Sequence, residues 1–224
     1  EYNNEQDRYE INQVTGPDEW HEPVNNNLYT NYLARWNLKY VLSLLEVMKK
    51  EETSSYNELV EKTGLTEMET AKWKEVQEKI YLPRKEGTKL LEQFEGYFEL
   101  DNVTIEKYDE NDWPIRPEAL KTKKAKETQI NKQADVVMLL HLMGNEFDDE
   151  TIKENYAYYE KRTLHGSSLS PSIYSVMGLK VGDDSKAYRY LRRAAFIDLL
   201  NMQGNTREGI HAANTGGVWQ TIVF

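Results

Sequence analysis

Apolar residues recur at every fourth position from Leu28 onward, and this periodicity constrains the fold more than any other feature of the sequence. The residues that follow at this spacing are Tyr32, Trp36, Tyr40, Leu44 and Met48. Side chains four residues apart lie on one face of an α-helix. We therefore predict a helix of about five turns that begins at Leu28.

Other segments also predict helices, whereas no stretch of the sequence sustains the apolar–polar alternation of a strand. Ser55-x-x-Glu58 and Thr66-x-x-Glu69 are capping-box patterns, which typically mark helix starts, and Gly64 separates the two. Further helices are predicted within 130–143 and over 149–160 and 184–201, with a short one at 90–94 inside a long irregular stretch, 87–117. The predicted fold class is all-α, built of antiparallel helix pairs.

Composition excludes several classes of function. Lysine and arginine total 28 against 38 aspartate and glutamate, a formal net charge of −10, which argues against a broad basic surface for nucleic acid. The chain has no cysteine, so disulfides, thiolate metal sites and cysteine nucleophiles are excluded. No apolar run approaches the ~18 residues of a membrane span. H-E-x-x-H and glycine-rich phosphate-loop motifs are also absent from the sequence.

The segment TGPDEWHE combines acidic, imidazole and indole side chains shortly before the first predicted helix. Glu19 is followed by Trp20 and His21. An indole beside a carboxyl group can disfavour its charged form by desolvation, which suits a general acid. The alternative is that Asp18 and Glu19 belong to an ordinary polar loop and that the asparagines at 25–27 cap the following helix. These residues alone favour the alternative.

Lys132 and Gln133 lie at the start of the apolar segment ADVVMLLHLM. A lysine entering a buried helix needs a partner, because an unpaired buried charge is costly. Sugar hydroxyls or a carboxylate from a neighbouring element would both satisfy it. On the residues alone, an internal ion pair is the favoured interpretation.

The segment RTLHGSSLSPS places Ser167 and Ser168 directly after Gly166. Consecutive hydroxyls and backbone N–H groups near a helix start can bind an oxyanion. The alternative is a serine-rich turn that leads into a helix near Pro171.

The segment GIHAANTGG carries His211, and we predict a tight loop over 214–217. A lone histidine more often has a structural role than a catalytic one. His211 therefore becomes a candidate only together with the other three segments.

Taken in order, the four segments resemble glycoside hydrolase family 65, the disaccharide phosphorylases that include maltose, kojibiose, nigerose and trehalose phosphorylases. TGPDEWHEPVNNNLYTN is similar to the family's acid-bearing segment and INKQADVV to its glucose-binding segment. LHGSSLSPS and GIHAANTGGVWQ are similar to its phosphate-site loops. The tyrosine that usually follows the acid pair is Trp20 here.

The resemblance implies roles for six residues. Glu19 would be the general acid that protonates the glycosidic oxygen, and Lys132 and Gln133 would hold the glucosyl unit. Phosphate would be bound by Ser167, Ser168 and His211. Inorganic phosphate would be a co-substrate, and neither a metal nor an organic cofactor is expected.

The resemblance also implies the reaction: inverting phosphorolysis of an α-linked glucose disaccharide to β-glucose 1-phosphate and a released sugar. The alternatives are a trehalose-type α-glucoside hydrolase of the same fold, or a non-catalytic carbohydrate-binding helical domain. Related hydrolases are expected to carry an acidic base in place of the phosphate-binding histidine, so His211 favours phosphorolysis.

The family's architecture implies that the chain is part of a larger enzyme. Residues 1–224 are expected to be the later part of an (α/α)6 toroid, so that the fold is a partial toroid. An upstream β-sandwich, the first half of the toroid and a small downstream β-domain are expected to be missing, and the fragment alone is expected to show little activity. A bacterial cytoplasmic location and a homodimer are expectations from the family.

Overall fold

The computed structural model describes residues 1–111 and 113–223, and α-helices dominate this part of the chain. The helices are α1 Leu28–Glu51, α2 Thr53–Thr63, α3 Glu67–Lys79, α4 Val136–Leu142, α5 Asp149–Glu160, α6 Ser170–Val181, α7 Asp184–Phe196 and α8 Ala212–Val223. A short antiparallel ribbon joins β1, Tyr2–Asn3, to β2, Arg8–Tyr9. The predicted all-α fold is confirmed. Among the helices described, none is both long and apolar enough to cross a bilayer.

Helix α1 begins where the periodicity predicts but buries less of its apolar face than expected. Asn27 is the N-cap, and its side-chain oxygen accepts a hydrogen bond from the Thr30 amide at 3.0 Å. The helix runs for 24 residues, longer than predicted. Trp36 and Tyr40 stack on each other at 5.2 Å between ring centroids, yet they are 37% and 48% exposed. Periodicity thus predicted the helix correctly, but not which part of it is buried.

One of the two predicted capping boxes is present. The Thr66 side chain accepts a hydrogen bond from the Glu69 amide at 3.2 Å, and the Glu69 carboxylate accepts one from the Thr66 amide at 3.1 Å. The box at Ser55 is wrong, because α2 already begins at Thr53 without a side-chain cap. Only Glu52 separates α2 from α1, so the bend between the two helices sets the start of α2.

The stretch from Ile80 to Asp135 is mostly irregular, as predicted for its central part. Three short 3₁₀ turns interrupt it: Tyr97–Glu99, Glu118–Lys121 and Ala125–Glu127. The short helix predicted at 90–94 is wrong. The Leu91 amide donates instead to the side chain of Asn155 in α5 at 2.8 Å, so tertiary hydrogen bonds replace helical ones there. Asp112, also within the predicted irregular stretch, lies outside the described residues.

Helix α4 lies at the centre of the core, as its apolar sequence predicts. Its side chains Val136, Val137, Leu139 and Leu140 are fully buried. Helices α1, α5 and α6 pack around it. Several buried tyrosines surround α4, and two of them bond to loop carbonyls: Tyr97 donates to the Gln129 carbonyl and Tyr159 to the Leu91 carbonyl, each at 2.6 Å. The tyrosine-rich core therefore also anchors the loops that lead to the candidate site.

The C-terminal part consists of α6, α7 and α8. The tight loop predicted over 214–217 is wrong, since these residues lie inside α8. Asn214 is buried and donates to the Ala194 carbonyl of α7 at 2.7 Å. Gly217 lies against Ser172 of α6, where a Cβ atom would collide with the serine side chain. Gly217 thus permits close packing of α8 on α6, and the segment does not form a turn. Helix α7 ends at Phe196, short of the predicted 201.

Candidate active site

Glu19 and Lys132 are brought together by the fold, although 113 residues separate them in the sequence. The Lys132 ammonium forms an ion pair with the Glu19 carboxylate. The side chains are 26% and 54% exposed, respectively, so Glu19 is not buried by the neighbouring indole of Trp20. The ion pair predicted for Lys132 is therefore present, and its partner is the candidate acid itself.

Gln133 joins INKQADVV, called here the sugar segment, to TGPDEWHE, called here the acid segment. Its side-chain amide donates to the Pro17 carbonyl, while its Oε1 atom is buried without a hydrogen-bond partner. A cavity of about 400 Å³ adjoins it. The cavity is lined by Thr15, Gly16, Pro17, Tyr29, Thr30, Gln133, Ala134, Met138, Leu169 and Ser170. An unpartnered amide oxygen beside such a cavity can accept a hydrogen bond from a ligand hydroxyl.

The serine loop, residues 164–169, runs directly alongside Lys132. The Gly166 amide donates to the Lys132 carbonyl at 2.8 Å, and the Leu164 amide donates to the Asn131 carbonyl at 2.9 Å. A Cβ atom at Gly166 would lie 3.3 Å from the Lys132 side chain, so the close approach favours glycine. Ser168 is buried and Ser167 is half-buried, immediately before α6. Three of the four predicted segments therefore meet in one place.

His165 supports the serine loop from inside and was missed by the sequence analysis. It is buried, with a φ of 52°, in the left-handed region that is uncommon for a residue other than glycine. Its Nδ1 atom lies 2.9 Å from the hydroxyl of Ser170, which in turn accepts the Ala134 amide at 3.2 Å. Burial and the positive charge of Arg193 lower the pKa of His165 to about 3, so the ring is neutral at physiological pH.

His211 is held by Asp198 just before α8 begins. Its Nδ1 atom is 2.5 Å from one Asp198 oxygen, and its amide donates to the other at 2.8 Å. These hydrogen bonds hold the pKa of Asp198 below its usual range. Within the described part of the chain, no hydrogen bond joins His211 to the other candidates. The connection to the serine loop runs through two helices, since α8 follows His211 and α6 follows the serine loop. The Thr221 hydroxyl of α8 donates to the Ser172 carbonyl of α6 at 3.4 Å.

Three buried ionisable groups lie next to Glu19 in sequence or in space: Asp18, His21 and Asp135. His21 Nδ1 is 2.5 Å from an Asp18 oxygen, and its Nε2 atom donates to the Thr128 carbonyl at 2.8 Å. The Asp18 amide donates to the Asp135 carboxylate at 3.2 Å. The Asp-x-x-His spacing was the available sequence signal for the first pair, but nothing local indicated Asp135.

Comparison with known proteins identifies the family. Residues 1–220 match the family model described as the glycosyl hydrolase family 65 central catalytic domain. The chain belongs to this family. The resemblance based on the four segments is thereby confirmed.

Relatives in family 65 include several disaccharide phosphorylases. The kojibiose phosphorylases of Thermoanaerobacter brockii and Caldanaerobacter subterraneus subsp. tengcongensis are 55% and 56% identical over all 224 residues. The maltose phosphorylase of Bacillus subtilis is 31% identical over 222 residues, 99% of the chain and 28% of that protein. The chain spans 29% of the length of either kojibiose phosphorylase.

A solved structure supports the same assignment. A putative kojibiose phosphorylase from the human microbiome superposes with a TM-score of 0.83 at 32% identity, covering 100% of this chain and 29% of that one. The mostly helical architecture agrees with the predicted partial helical toroid.

In this family 65 chain, burial and neighbouring charges act differently on the pKa values of Asp135 and His21. Burial raises the pKa of Asp135 to about 7, and the negative charge of Asp18 adds to this effect against opposing hydrogen bonds. Burial lowers the pKa of His21, but the hydrogen bond and charge of Asp18 outweigh burial, so that the pKa lies above its usual value. Asp18 and His21 therefore form a tightly coupled, buried hydrogen-bonded pair.

Asp135→Asn is expected to flatten the pH dependence of stability. Because the folded-state pKa of about 7 exceeds the unfolded value, the folded chain binds more protons between about pH 4 and 7. The contribution of Asp135 to the free energy of unfolding therefore falls as pH rises through that window, by roughly 2–4 kcal/mol. Asparagine keeps an acceptor for the amides of Asp18 and Asn27 without titrating. Urea denaturation of both proteins at pH 4 to 8 measures this, and parallel curves would contradict it.

A second, larger cavity of about 780 Å³ lies between α7 on one side and residues 104–111 and Trp113 on the other. Its lining includes Glu160, Lys186 and Tyr190 but none of the six predicted site residues. Among residues 1–111 and 113–223, no group of three or more histidine, aspartate or glutamate side chains is arranged to hold a metal ion. The candidate active site is therefore placed by the three segments that meet at Lys132 and not by cavity size.

Proposed function

We propose that this chain is part of the catalytic domain of an inverting glycoside phosphorylase. The enzyme reacts an α-linked glucose disaccharide with inorganic phosphate and yields β-glucose 1-phosphate and a released sugar. The observation that carries the proposal is the contact of three segments: Glu19 pairs with Lys132, and the serine loop is hydrogen-bonded to the Lys132 backbone. The proposed acid, the proposed sugar-binding pair and the proposed anion-binding loop are thereby adjacent.

Inversion requires the nucleophile to attack the anomeric carbon from the face opposite the leaving group. A hydrolase needs a second carboxylate to activate water on that face. Phosphate is already an anionic nucleophile, so it needs a pocket of hydroxyls, amides and an imidazole. Ser167 and Ser168 precede the N-terminus of α6, where the helix dipole favours an anion. His211 supplies the imidazole in this proposal.

Glu19 must be protonated to act as the acid. In the described structure its carboxylate is paired with the Lys132 ammonium. When the glucosyl hydroxyls bind Lys132, they draw the cation away from Glu19. The freed Glu19 carboxylate takes up a proton from solvent, and the carboxyl group then donates that proton to the glycosidic oxygen of the leaving sugar. Substrate binding thus frees Glu19 for its role as the acid.

Gln133 and Lys132 are proposed to hold the glucosyl unit. The buried Oε1 atom of Gln133 accepts a sugar hydroxyl, and the Lys132 ammonium donates to others. Kojibiose is the proposed substrate, because the kojibiose phosphorylases of two organisms are 55% and 56% identical to the chain whereas one maltose phosphorylase is 31% identical.

The proposal extends to the complete enzyme. The relatives are more than three times as long as this chain, which supports additional domains on either side, as the family resemblance implies. Inorganic phosphate is the co-substrate, and the proposal includes neither a metal nor an organic cofactor. A homodimer in the bacterial cytoplasm is also part of it.

The anomeric configuration of the product tests the proposal. The complete enzyme is incubated with phosphate and kojibiose, maltose, nigerose or trehalose, and the first product is followed by NMR. β-Glucose 1-phosphate is expected, with kojibiose as the fastest substrate. Initial formation of the α-anomer would contradict inversion, and absence of glucose 1-phosphate from all four sugars would contradict phosphorolysis.

A further inference from the structure

Asp18, the residue before Glu19, links the acid segment to the sugar segment through a buried hydrogen bond. Its Oδ1 atom accepts the backbone amide of Lys132 at 2.8 Å. The side chain of Asp18 is 0% exposed, so water does not compete for this bond. Asp18 therefore contacts the main chain of the residue whose ammonium pairs with Glu19.

Two links of different character thus connect the segments. The outer one, between the Lys132 ammonium and Glu19, is partly exposed and must open when a sugar binds Lys132. The inner one, between Asp18 and the Lys132 amide, involves no group that the proposed reaction uses. It can persist through the whole catalytic cycle.

The Asp18 carboxylate is itself held rigidly. Its Oδ2 atom is 2.5 Å from His21 Nδ1 and accepts a hydrogen bond from Gln93 Nε2 at 3.2 Å. His21 is anchored in turn to the Thr128 carbonyl at 2.8 Å. With both oxygens occupied, the carboxylate is confined to one orientation, and so is the Lys132 amide that it binds.

We propose that Asp18 is a positioning residue that sets the place of Lys132 and Gln133 relative to Glu19. The inference rests on the phosphorolysis proposed above. Asp18 does not touch the reacting atoms, and it acts by fixing the backbone from which the sugar-binding side chains project. Misplacement by about 1 Å of a group that orients a substrate can cost about 10²-fold in rate.

The test compares Asp18→Asn with two variants in the complete enzyme. Asparagine has only one acceptor, so it cannot satisfy both the Lys132 amide and the donors from His21 and Gln93. Glu19→Gln removes the acid. Glu160→Gln is the matched control for converting a buried acid to an amide: Glu160 is 3% exposed, is bonded to Tyr190 at 3.0 Å and lies outside the proposed site.

Each variant is assayed with kojibiose and with α-glucosyl fluoride, both with phosphate. In the second reaction the carbon–fluorine bond breaks and a carbon–oxygen bond to phosphate forms, while fluoride leaves without needing a proton. Asp18→Asn is expected to lower kcat/KM by about 10- to 100-fold with both donors, because the sugar is misplaced whatever the leaving group. Glu19→Gln is expected to lose only the kojibiose reaction, and Glu160→Gln neither.

Three results of these assays would overturn the inference: full activity of Asp18→Asn with both donors, loss of activity with kojibiose alone, or an equal loss of activity in Glu160→Gln when both variants show the same fall in melting temperature. Amide hydrogen exchange at Lys132 is measured in parallel and does not depend on turnover. Exchange is expected to be faster in Asp18→Asn and unchanged in Glu160→Gln; unchanged exchange in Asp18→Asn would also overturn the inference. If the wild-type enzyme made no glucose 1-phosphate, that result would contradict the proposed function. The exchange measurement would still test the role of Asp18.

Discussion

Glu19→Gln is expected to lower kcat for disaccharide phosphorolysis by about 10²- to 10⁴-fold, the usual contribution of a general acid. Glutamine has a similar shape but no proton to donate, so the glycosidic oxygen would have to leave as an alkoxide. Initial rates of glucose 1-phosphate formation from kojibiose measure the effect. Binding of the disaccharide should be retained, because Lys132 and Gln133 are unchanged.

The matched control for Glu19→Gln is a change of substrate. With α-glucosyl fluoride and phosphate the variant should approach the wild-type rate, since fluoride leaves without protonation. Turnover of kojibiose at a rate comparable to the wild type would remove Glu19 from the role of acid. Equal loss with both substrates would mean that Glu19 mainly positions the sugar.

His211→Ala is expected to raise the KM for phosphate by about 10- to 100-fold while leaving the KM for the disaccharide nearly unchanged. The range corresponds to the loss of one hydrogen bond to a charged group, about 1.5–3 kcal/mol. Rates measured over a range of phosphate concentrations at saturating kojibiose give the value.

Asp198→Asn provides the graded comparison for His211→Ala. Asp198 accepts both the ring Nδ1 and the backbone amide of His211, whereas asparagine retains only one acceptor. The phosphate KM should therefore rise in the same direction but less, by about 3- to 10-fold. An unchanged phosphate KM in His211→Ala would show that the imidazole does not contribute to the anion site.

Local rules predicted the fold where local interactions decide it. The spacing of apolar residues predicted α1, and Thr66 with Glu69 marked the start of α3. The predictions failed where tertiary contacts compete. Leu91 bonds to α5 in place of forming a helix, and residues 214–217 remain helical because Gly217 allows α8 to approach α6.

For the candidate site, too, the sequence predicted some residues and missed others. Motifs identified Glu19, Lys132 and the serine loop, and the structure brings these three together. The residues that hold them were missed, since their partners are remote in sequence: Asp18 binds a residue 114 positions away. Pairwise contacts of this kind have no local signature, so only the folded chain reveals them.

Phosphate dependence tests the central claim most directly. The complete enzyme is incubated with kojibiose, with and without inorganic phosphate, and glucose 1-phosphate and free glucose are quantified separately. Our account predicts that glucose 1-phosphate forms only with phosphate, in a one-to-one ratio with the released glucose. Glucose release that is indifferent to phosphate, with no glucose 1-phosphate, would contradict it and identify a hydrolase.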